Sequence, residues 1–241
     1  MVITLKRIYI FALAVILCIS GTLTAILTST KITASTVSSD YLNKDYPTII
    51  IDAGHGGEDG GAASDSGLLE KDINLDICLT LEKLLKQCGY NVRMIRTEDV
   101  SIHDETANTT RERKVSDIKN RVDIVNSDKN NILVSIHQNH FTQSQYFGTQ
   151  VFYSKNSPNS KLLAENIRTA VSSLLQPENN RKCKESNNVF LLDNATVPAV
   201  IVECGFLSNP DEAYKLSQKE YRDNLAYSIC LGILEYTFLN Y

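Results

Sequence analysis

The sequence predicts an α/β fold: one domain with a mostly parallel central sheet of about six strands and helices on both faces. Two observations lead to this prediction. Short apolar runs without a polar interruption, such as residues 49–51, are typical of strands buried on both faces of a sheet. These runs alternate with segments in which apolar residues recur at helical spacing. Such alternation indicates a parallel sheet covered by helices.

The 241 residues divide into three predicted parts. Within residues 1–27, an uncharged stretch from position 8 onward follows two basic residues, as in a signal peptide or an uncleaved membrane anchor. A stretch of about 20 apolar residues is long enough to span a bilayer. Residues 28–46 are rich in Ser and Thr and lack periodicity, which indicates a linker. The folded domain is expected at 47–241, outside the cytoplasmic membrane in either case.

Each element of the domain is predicted from its local pattern. Helical spacing of apolar residues predicts helices at 69–88, which Gly89 ends, and at 115–127, about 160–175 and 221–238. Apolar runs predict strands at 49–51, 92–95, 132–136, 151–153, 189–192 and 200–203. Two polar stretches, 98–110 and 176–188, are predicted loops, and the first is expected beside the cleft.

Composition excludes some classes of protein. A content of 43% hydrophobic and 22% charged residues is that of a globular protein. The net charge of -4 and the pI near 5.6 argue against a nucleic-acid-binding protein, which would show a basic face. Membrane contact is expected only through the N-terminal segment. Five cysteines follow that segment without a CxxC pair, so no disulfide framework is predicted: Cys78, Cys88, Cys183, Cys204 and Cys230.

A glycine-rich loop follows the first strand. Five glycines between Gly54 and Gly61 cannot hold a strand or a helix, so the backbone must turn tightly there, partly at positive φ. Polar loops at the carboxyl ends of strands are where open α/β sheets place their chemistry. His55 within this loop and Glu70 after it are both possible metal ligands.

Four residues at the ends of elements are candidates for a functional site: His55, Glu70, His137 and Glu203. Each alone has an ordinary explanation, as a loop residue or as an acid that suits the first turn of a helix. Parallel topology, however, brings the carboxyl ends of the strands to one edge, so the four side chains can converge. Two histidines and one glutamate form the ligand set of catalytic zinc hydrolases, which leave a fourth position open for water. A second carboxylate could then accept a proton from that water.

The motifs DAGHGGEDGGA, G-x-x-E, SIHQN and VECGFLSN, in this order, resemble the zinc-dependent N-acetylmuramoyl-L-alanine amidases of bacterial cell walls. The resemblance runs from residue 47 to the C-terminus. It implies one Zn²⁺ bound by His55, Glu70 and His137, with Glu203 as the catalytic glutamate. Asn139 could bind the substrate or brace the His137 loop.

Within that family, a compact chain with an N-terminal segment is similar to germination-specific spore-cortex amidases. These enzymes remove peptides from muramic acid so that muramic-δ-lactam can be made. The resemblance implies a peptidoglycan substrate and a location outside the cytoplasm, secreted or anchored by residues 8–27. A cortex amidase would lie in the forespore or cortex space. Similar clostridial amidases are associated with a partner lipoprotein, which could be needed here for full activity.

Two other functions compete with this interpretation. One is a zinc peptidase that cuts within the stem peptide. The other is a non-catalytic wall-binding module of the same fold, which the loss of a ligand or of the second carboxylate would indicate. All four residues are present in the sequence, which favours an enzyme.

Overall fold

The computed structural model describes residues 46–241. The predicted signal peptide or anchor and almost all of the predicted linker lie outside the described residues. The strands are β1 (Thr48–Ala53), β2 (Val92–Met94), β3 (Asn131–Asn139), β4 (Gln150–Tyr153), β5 (Lys184–Glu185) and β6 (Ala199–Phe206). The helices are α1 (Glu70–Gln87), α2 (Thr110–Val125), α3 (Pro158–Leu174), α4 (Phe190–Asn194), α5 (Pro210–Ser217) and α6 (Lys219–Asn240).

The strands form one six-stranded sheet in the order β2-β1-β3-β6-β4-β5. β1, β3 and β6 occupy the middle and run parallel, whereas β4 is antiparallel to β6. The central strands are buried on both faces, which explains their continuous apolar runs. The predicted mostly parallel sheet of about six strands is confirmed. Because the three central strands share a direction, their carboxyl ends meet at one edge of the sheet.

Helices cover both faces of the sheet. α1, α3 and α6 pack on one face, against alternate strand residues such as Ile49, Val134 and Val202. On the other face, residues of α2 and α4 pack around Ile50 and Leu133. Each fully buried isoleucine or leucine contributes roughly 1.5–3 kcal/mol of transfer free energy, so both faces stabilise the domain.

Helix α2 begins before the first apolar residue of its periodic pattern, Val115. The cause is a capping box at its start. The Thr109 side chain accepts a hydrogen bond from the Glu112 N–H (3.2 Å), and the Glu112 carboxylate accepts one from the Thr109 N–H (2.9 Å). These bonds satisfy backbone donors that the first helical turn leaves unpaired.

The prediction of a strand at 189–192 is wrong. The short helix α4 lies there, with Leu191 and Leu192 buried and Phe190 exposed. A short apolar run does not distinguish a buried strand from a buried helical turn, and tertiary packing decided between them. Helix α5 and the two-residue strand β5 were not predicted. The start of α5 does carry a recognisable signal, because the Asn209 side chain caps it and Pro210 follows.

Four strands, β1, β3, β4 and β6, are longer than predicted. Because β3 extends beyond residue 136 and β6 beyond residue 203, His137 and Glu203 lie within their strands rather than at the strand ends. Among residues 46–241, no helix has the length and apolar character needed to cross a membrane.

Candidate metal centre and catalytic cleft

The loop between β1 and α1 brings three candidate ligands together because glycines occupy two crowded positions. Gly54 lies against the imidazole of His137, and a Cβ atom there would overlap that ring. Gly61 has a φ of 67°, and a Cβ atom there would lie 2.5 Å from Glu70 Oε2 and 2.7 Å from His55 Cδ2. Only glycine fits such positions. The glycine-rich sequence therefore permits the close packing of the three ligand side chains.

Glu70 lies between the two histidines. Its Oε1 atom is 2.9 Å from His137 Nδ1 and 3.2 Å from His55 Nε2. One ligand atom from each residue lies within 4.8 Å of the others, and the two imidazole centroids are 5.0 Å apart. The convergence expected from parallel topology is present. Two nitrogen donors and one carboxylate form a set that could hold a divalent metal ion.

Electrostatics at this cluster favour a cation. Burial by itself would lower the pKa of His55, but hydrogen bonds to Glu70 and Asp59, and their charges, raise it to about 9. Burial would raise the pKa of Glu70, but the hydrogen bonds and charges of His137 and His55 hold it well below its usual range. The Glu70 carboxylate therefore stays ionised, and positive charge beside it is stabilised.

Asp59 orients the first histidine. His55 Nδ1 lies 2.8 Å from Asp59 Oδ2, while Lys114 Nζ donates to the other oxygen of that carboxylate (3.0 Å). Because Nδ1 is occupied by Asp59, Nε2 is the nitrogen that faces Glu70. His55 also has a φ of 64°, a left-handed conformation that is uncommon outside glycine, and the surrounding contacts maintain it.

The Glu70 carboxylate is also held by neutral groups. The backbone N–H of Ala62 donates to Oε2 (2.8 Å), and the N–H of Gln138 donates to Oε1 (3.0 Å). Asn74, one helical turn after Glu70, donates from Nδ2 to the Gly54 carbonyl (3.2 Å) and accepts from Gln138 Nε2 (3.1 Å). These contacts connect α1, β3 and the glycine-rich loop around one carboxylate.

Glu203 lies beside this cluster. β6 pairs with β3 so that Glu203 is opposite His137, and both side chains line the same cavity. The Oε2 atom of Glu203 is buried, with no hydrogen-bond partner among the described residues. Burial raises the pKa of Glu203 to about 7; the charges of His137 and His55 lower it and that of Glu70 raises it further. A carboxylate with a pKa near neutrality is suited to accept and release a proton.

The cavity over this edge of the sheet has a volume of about 1020 Å³. Part of its lining is charged: Arg113 pairs with Glu58 (2.8 Å), and Lys114 pairs with Asp59 (3.0 Å). Another part is apolar and is formed by Phe152, Val189, Phe190, Leu191 and Ile201. Asn139, the last residue of β3, also lines the cavity. The cleft therefore offers both charged and apolar surface around Glu203.

Buried Arg121 holds the backbone at the start of the glycine-rich loop. Its Nη1 atom pairs with Asp52, and its Nε donates to Asp117 Oδ2 (2.7 Å). The same guanidinium donates to the carbonyls of His55 (2.8 Å) and Ala53 (3.1 Å). Although burial would raise the pKa of Asp52, the charge of Arg121 lowers it. The network thus fixes the backbone that carries the first histidine.

Arg96 has a similar role on the other side of the loop. Its Nε donates to the Ala53 carbonyl (2.8 Å), and its Nη2 donates to the carbonyls of Gly54 (3.1 Å) and Lys71 (2.8 Å). Arg96 is 3% exposed, so these bonds form away from solvent. Two arginines therefore satisfy carbonyl groups in the glycine-rich loop and in the elements that flank it.

Comparison with known proteins identifies the family to which this chain belongs. The family model for N-acetylmuramoyl-L-alanine amidase (Amidase_3) matches residues 49–235. The chain belongs to the N-acetylmuramoyl-L-alanine amidase family. As a member of this family it is an enzyme that hydrolyses the amide between N-acetylmuramic acid and L-alanine.

Similar amidases include the germination-specific N-acetylmuramoyl-L-alanine amidase of Bacillus subtilis, which is 35% identical over 188 residues, or 78% of each chain. Among solved structures, the CwlD amidase of Clostridioides difficile, in complex with the GerS lipoprotein, is 39% identical, with a TM-score of 0.78. The match covers 80% of this chain and all of that one. The N-acetylmuramoyl-L-alanine amidase of Clostridium difficile 630 is 31% identical over 82% of this chain and 100% of its own, with a TM-score of 0.70.

Sequence reasoning missed several residues that support the glycine-rich loop of this amidase. Arg96 and Arg121 carry no local signal, because each acts on backbone groups that are distant in sequence. Asn74 could have been noticed, since it lies one helical turn after Glu70, on the same face of α1.

Cys204 is fully buried within β6, on the face opposite Glu203, and burial raises its thiol pKa. This burial agrees with a packing role for the cysteine.

Proposed function

We propose that this amidase cleaves spore-cortex peptidoglycan, with one zinc ion held by His55, Glu70 and His137 and with Glu203 as the catalytic base. The single observation that carries the proposal is the cluster of two imidazoles and a carboxylate within 4.8 Å, beside the buried Oε2 atom of Glu203 on the neighbouring strand, which has no hydrogen-bond partner among the described residues. A peptidase or a wall-binding module has no such support from the comparisons.

The donor set fits zinc. Two histidine nitrogens and one glutamate oxygen are a ligand set of zinc hydrolases that leave one coordination position open. Asp59 behind His55 supplies the carboxylate–histidine contact that orients such ligands. Zinc, when bound, supplies Lewis acidity: it acidifies water and polarises the scissile carbonyl.

Glu203 moves the proton. Its carboxylate accepts a proton from the attacking water and then delivers it to the departing nitrogen of L-alanine. The apolar surroundings raise its pKa to about 7, so that both steps are accessible near neutral pH. General acid–base catalysis of this kind contributes about 10²- to 10⁴-fold to the rate. Asn139, which lines the same cavity at the end of β3, hydrogen-bonds the substrate in this proposal.

The cortex assignment and the partner rest on similar proteins. The relative from Bacillus subtilis is named for germination, and the CwlD amidase was solved with a lipoprotein. By analogy, a lipoprotein partner binds this chain outside the cytoplasmic membrane, and the reaction precedes formation of muramic-δ-lactam.

The test is digestion of cortex and vegetative peptidoglycan by the full chain, with and without a chelator. An amidase releases peptides with a free L-alanine amino group and leaves the glycan strand intact. Cuts within the stem peptide would instead identify a peptidase. Zinc content and activity, measured with and without candidate lipoproteins, test the partner.

A variant separates the role of the base from that of the ligands. Glu203→Ala should retain zinc and lose amidase activity, whereas His55→Ala or His137→Ala should lose both. Release of peptides by Glu203→Ala at the wild-type rate would refute the assignment of the base.

A further inference from the structure

The connection between β3 and β4 carries an exposed aromatic surface that the proposed mechanism does not use. Residues 140–148 are named the aromatic loop here. Within it, Phe141, Tyr146 and Phe147 are 48%, 40% and 49% exposed. The rings of Phe141 and Tyr146 meet edge to face at 5.2 Å, and Tyr146 lies 6.4 Å from the ring of Phe206. Clustered exposed aromatic residues indicate a binding surface, unlike apolar residues scattered singly.

The aromatic loop is held in one shape by neighbouring side chains. Asn209 Nδ2 donates to the Tyr146 carbonyl (3.2 Å), and Arg181 Nε donates to the Phe147 carbonyl (2.6 Å). The Arg181 guanidinium also lies over the rings of Phe206 (4.7 Å) and Tyr146 (5.8 Å). These contacts already hold the loop in one conformation in the folded protein. A ligand that binds the loop therefore avoids the entropic cost of ordering it.

The aromatic loop directly follows a residue of the catalytic cleft in the chain. Asn139 lines the cleft and pairs in the sheet with Phe206, the ring beneath Tyr146. Phe141 follows His137 by four positions, which corresponds to roughly 13 Å of extended chain. The amide that this family cleaves is attached to a glycan polymer. A polymer bound at the cleft extends beyond it, and the aromatic loop lies within its reach.

The chemistry of the loop fits a neutral ligand. The loop itself carries no charge, since no Asp, Glu, Lys or Arg occurs from residue 130 to residue 154, in a chain with 22% charged residues. The cation that lies against it, Arg181, is engaged by the Phe147 carbonyl and by the rings of Tyr146 and Phe206. Between the aromatic residues stands a run of amide and hydroxyl side chains: Thr142, Gln143, Ser144 and Gln145. The C–H faces of a pyranose ring stack on the electron-rich faces of aromatic rings. Amides and hydroxyls hydrogen-bond to sugar hydroxyl and acetamido groups. An anionic membrane surface would instead be matched by lysines and arginines.

We propose that the aromatic loop is a binding platform for a neutral N-acetylated sugar ring of the glycan strand, next to the residue whose amide is cleaved. The proposal rests on the proposed function, because it takes peptidoglycan as the substrate. It adds that affinity for the polymer comes partly from a surface outside the cleft.

The test compares Phe141→Ala/Tyr146→Ala with Tyr227→Ala, a control at a 51% exposed tyrosine on α6. Both are made in full-length Glu203→Gln protein, and β-1,4-linked N-acetylglucosamine oligomers and peptide-free glycan strands are titrated by calorimetry. The double variant should bind both sugars about 10-fold more weakly, the scale expected for two aromatic contacts. The control should bind as the parent does. Unchanged thermal unfolding of the variants verifies that the fold is intact.

Kinetics in the active enzyme provide a second measurement. The double variant should show a higher KM on glycan strands that carry stem peptides, with unchanged kcat. It should keep wild-type activity on a muropeptide with a single disaccharide. Equal sugar binding by the double variant and the control would overturn the platform. Loss of lipoprotein binding without loss of sugar binding would also overturn it and assign the surface to a protein partner. Since the titrations need no turnover, they decide the platform even if the proposed amidase reaction fails.

Discussion

Replacing Arg121 by methionine should strongly destabilise the domain. Arg121 and its partner Asp52 are 3% and 1% exposed, so the variant leaves a carboxylate buried with the Ser135 hydroxyl as a remaining partner (2.7 Å). Removing one member of a buried ion pair costs about 3–5 kcal/mol. For a domain of this size each kcal/mol lowers the Tm by about 2–4 °C, so we expect a Tm roughly 6–20 °C lower.

The pH dependence of this loss identifies its cause. In the wild type, Arg121 lowers the pKa of Asp52, so the stabilisation is present above the unfolded-state pKa and is lost as the pH falls through the folded-state pKa. Without Arg121, burial would raise the pKa of Asp52 above its unfolded value. The stability lost in Arg121→Met relative to the wild type is then largest at high pH. This loss should decrease as the pH falls from 7 towards 5.

Thermal and denaturant unfolding with a chelator present measure this loss without a contribution from bound metal. Arg93→Met, at an exposed arginine on β2, is the matched control and should change stability little. Asp52→Asn combined with Arg121→Met should recover part of the loss, because position 52 then no longer carries an unpaired buried charge, although Asp117 still lacks Arg121. A deficit below about 1 kcal/mol, or one that does not change between pH 5 and pH 7, would refute the reasoning.

Three further predictions concern the cleft. In chelated protein, Glu203→Gln should be more stable than the wild type by about 1–2 kcal/mol at pH 8. Burial raises the pKa of Glu203 to about 7, so the wild type loses stability as the pH rises from the unfolded-state pKa to about 7. The difference should vanish near pH 5, and an equal gain at both pH values would contradict it. The amidase rate, as kcat/KM, should fall as the pH drops below about 7, because Glu203 then becomes protonated. A flat profile between pH 5 and pH 7 would argue against Glu203 as the base. Gly54→Ala should displace His137 and reduce zinc affinity by roughly 10- to 100-fold in a metal titration. Gly60→Ala, where the nearest side-chain atom is 3.8 Å from the added Cβ, is its control and should bind zinc normally.

Residue patterns predicted much of the site, because its candidate ligands lie at or near the ends of regular elements. The run of β-branched residues at 49–51 predicts the strand that precedes His55. Parallel topology then implies that His137 and Glu203 lie at the same edge of the sheet as His55. Spacing alone does not show which of Glu70 and Glu203 would bind zinc and which would act as the base. The prediction of these two roles needed the family resemblance as well. The prediction of a strand at 189–192 is wrong because a single buried turn of helix has the same short apolar run as a buried strand.

Local sequence by itself determined the alternating strands and helices, the tight glycine-rich loop and the types of residue that face the cleft. These properties depend on side-chain periodicity and on backbone conformations that neighbouring residues set. Only the tertiary structure decided the antiparallel direction of β4, the close approach of Gly54 to His137 and the pairing of Arg121 with Asp52, 69 positions away. The physical reason is that each of these depends on packing between segments distant in the chain, which no local pattern encodes.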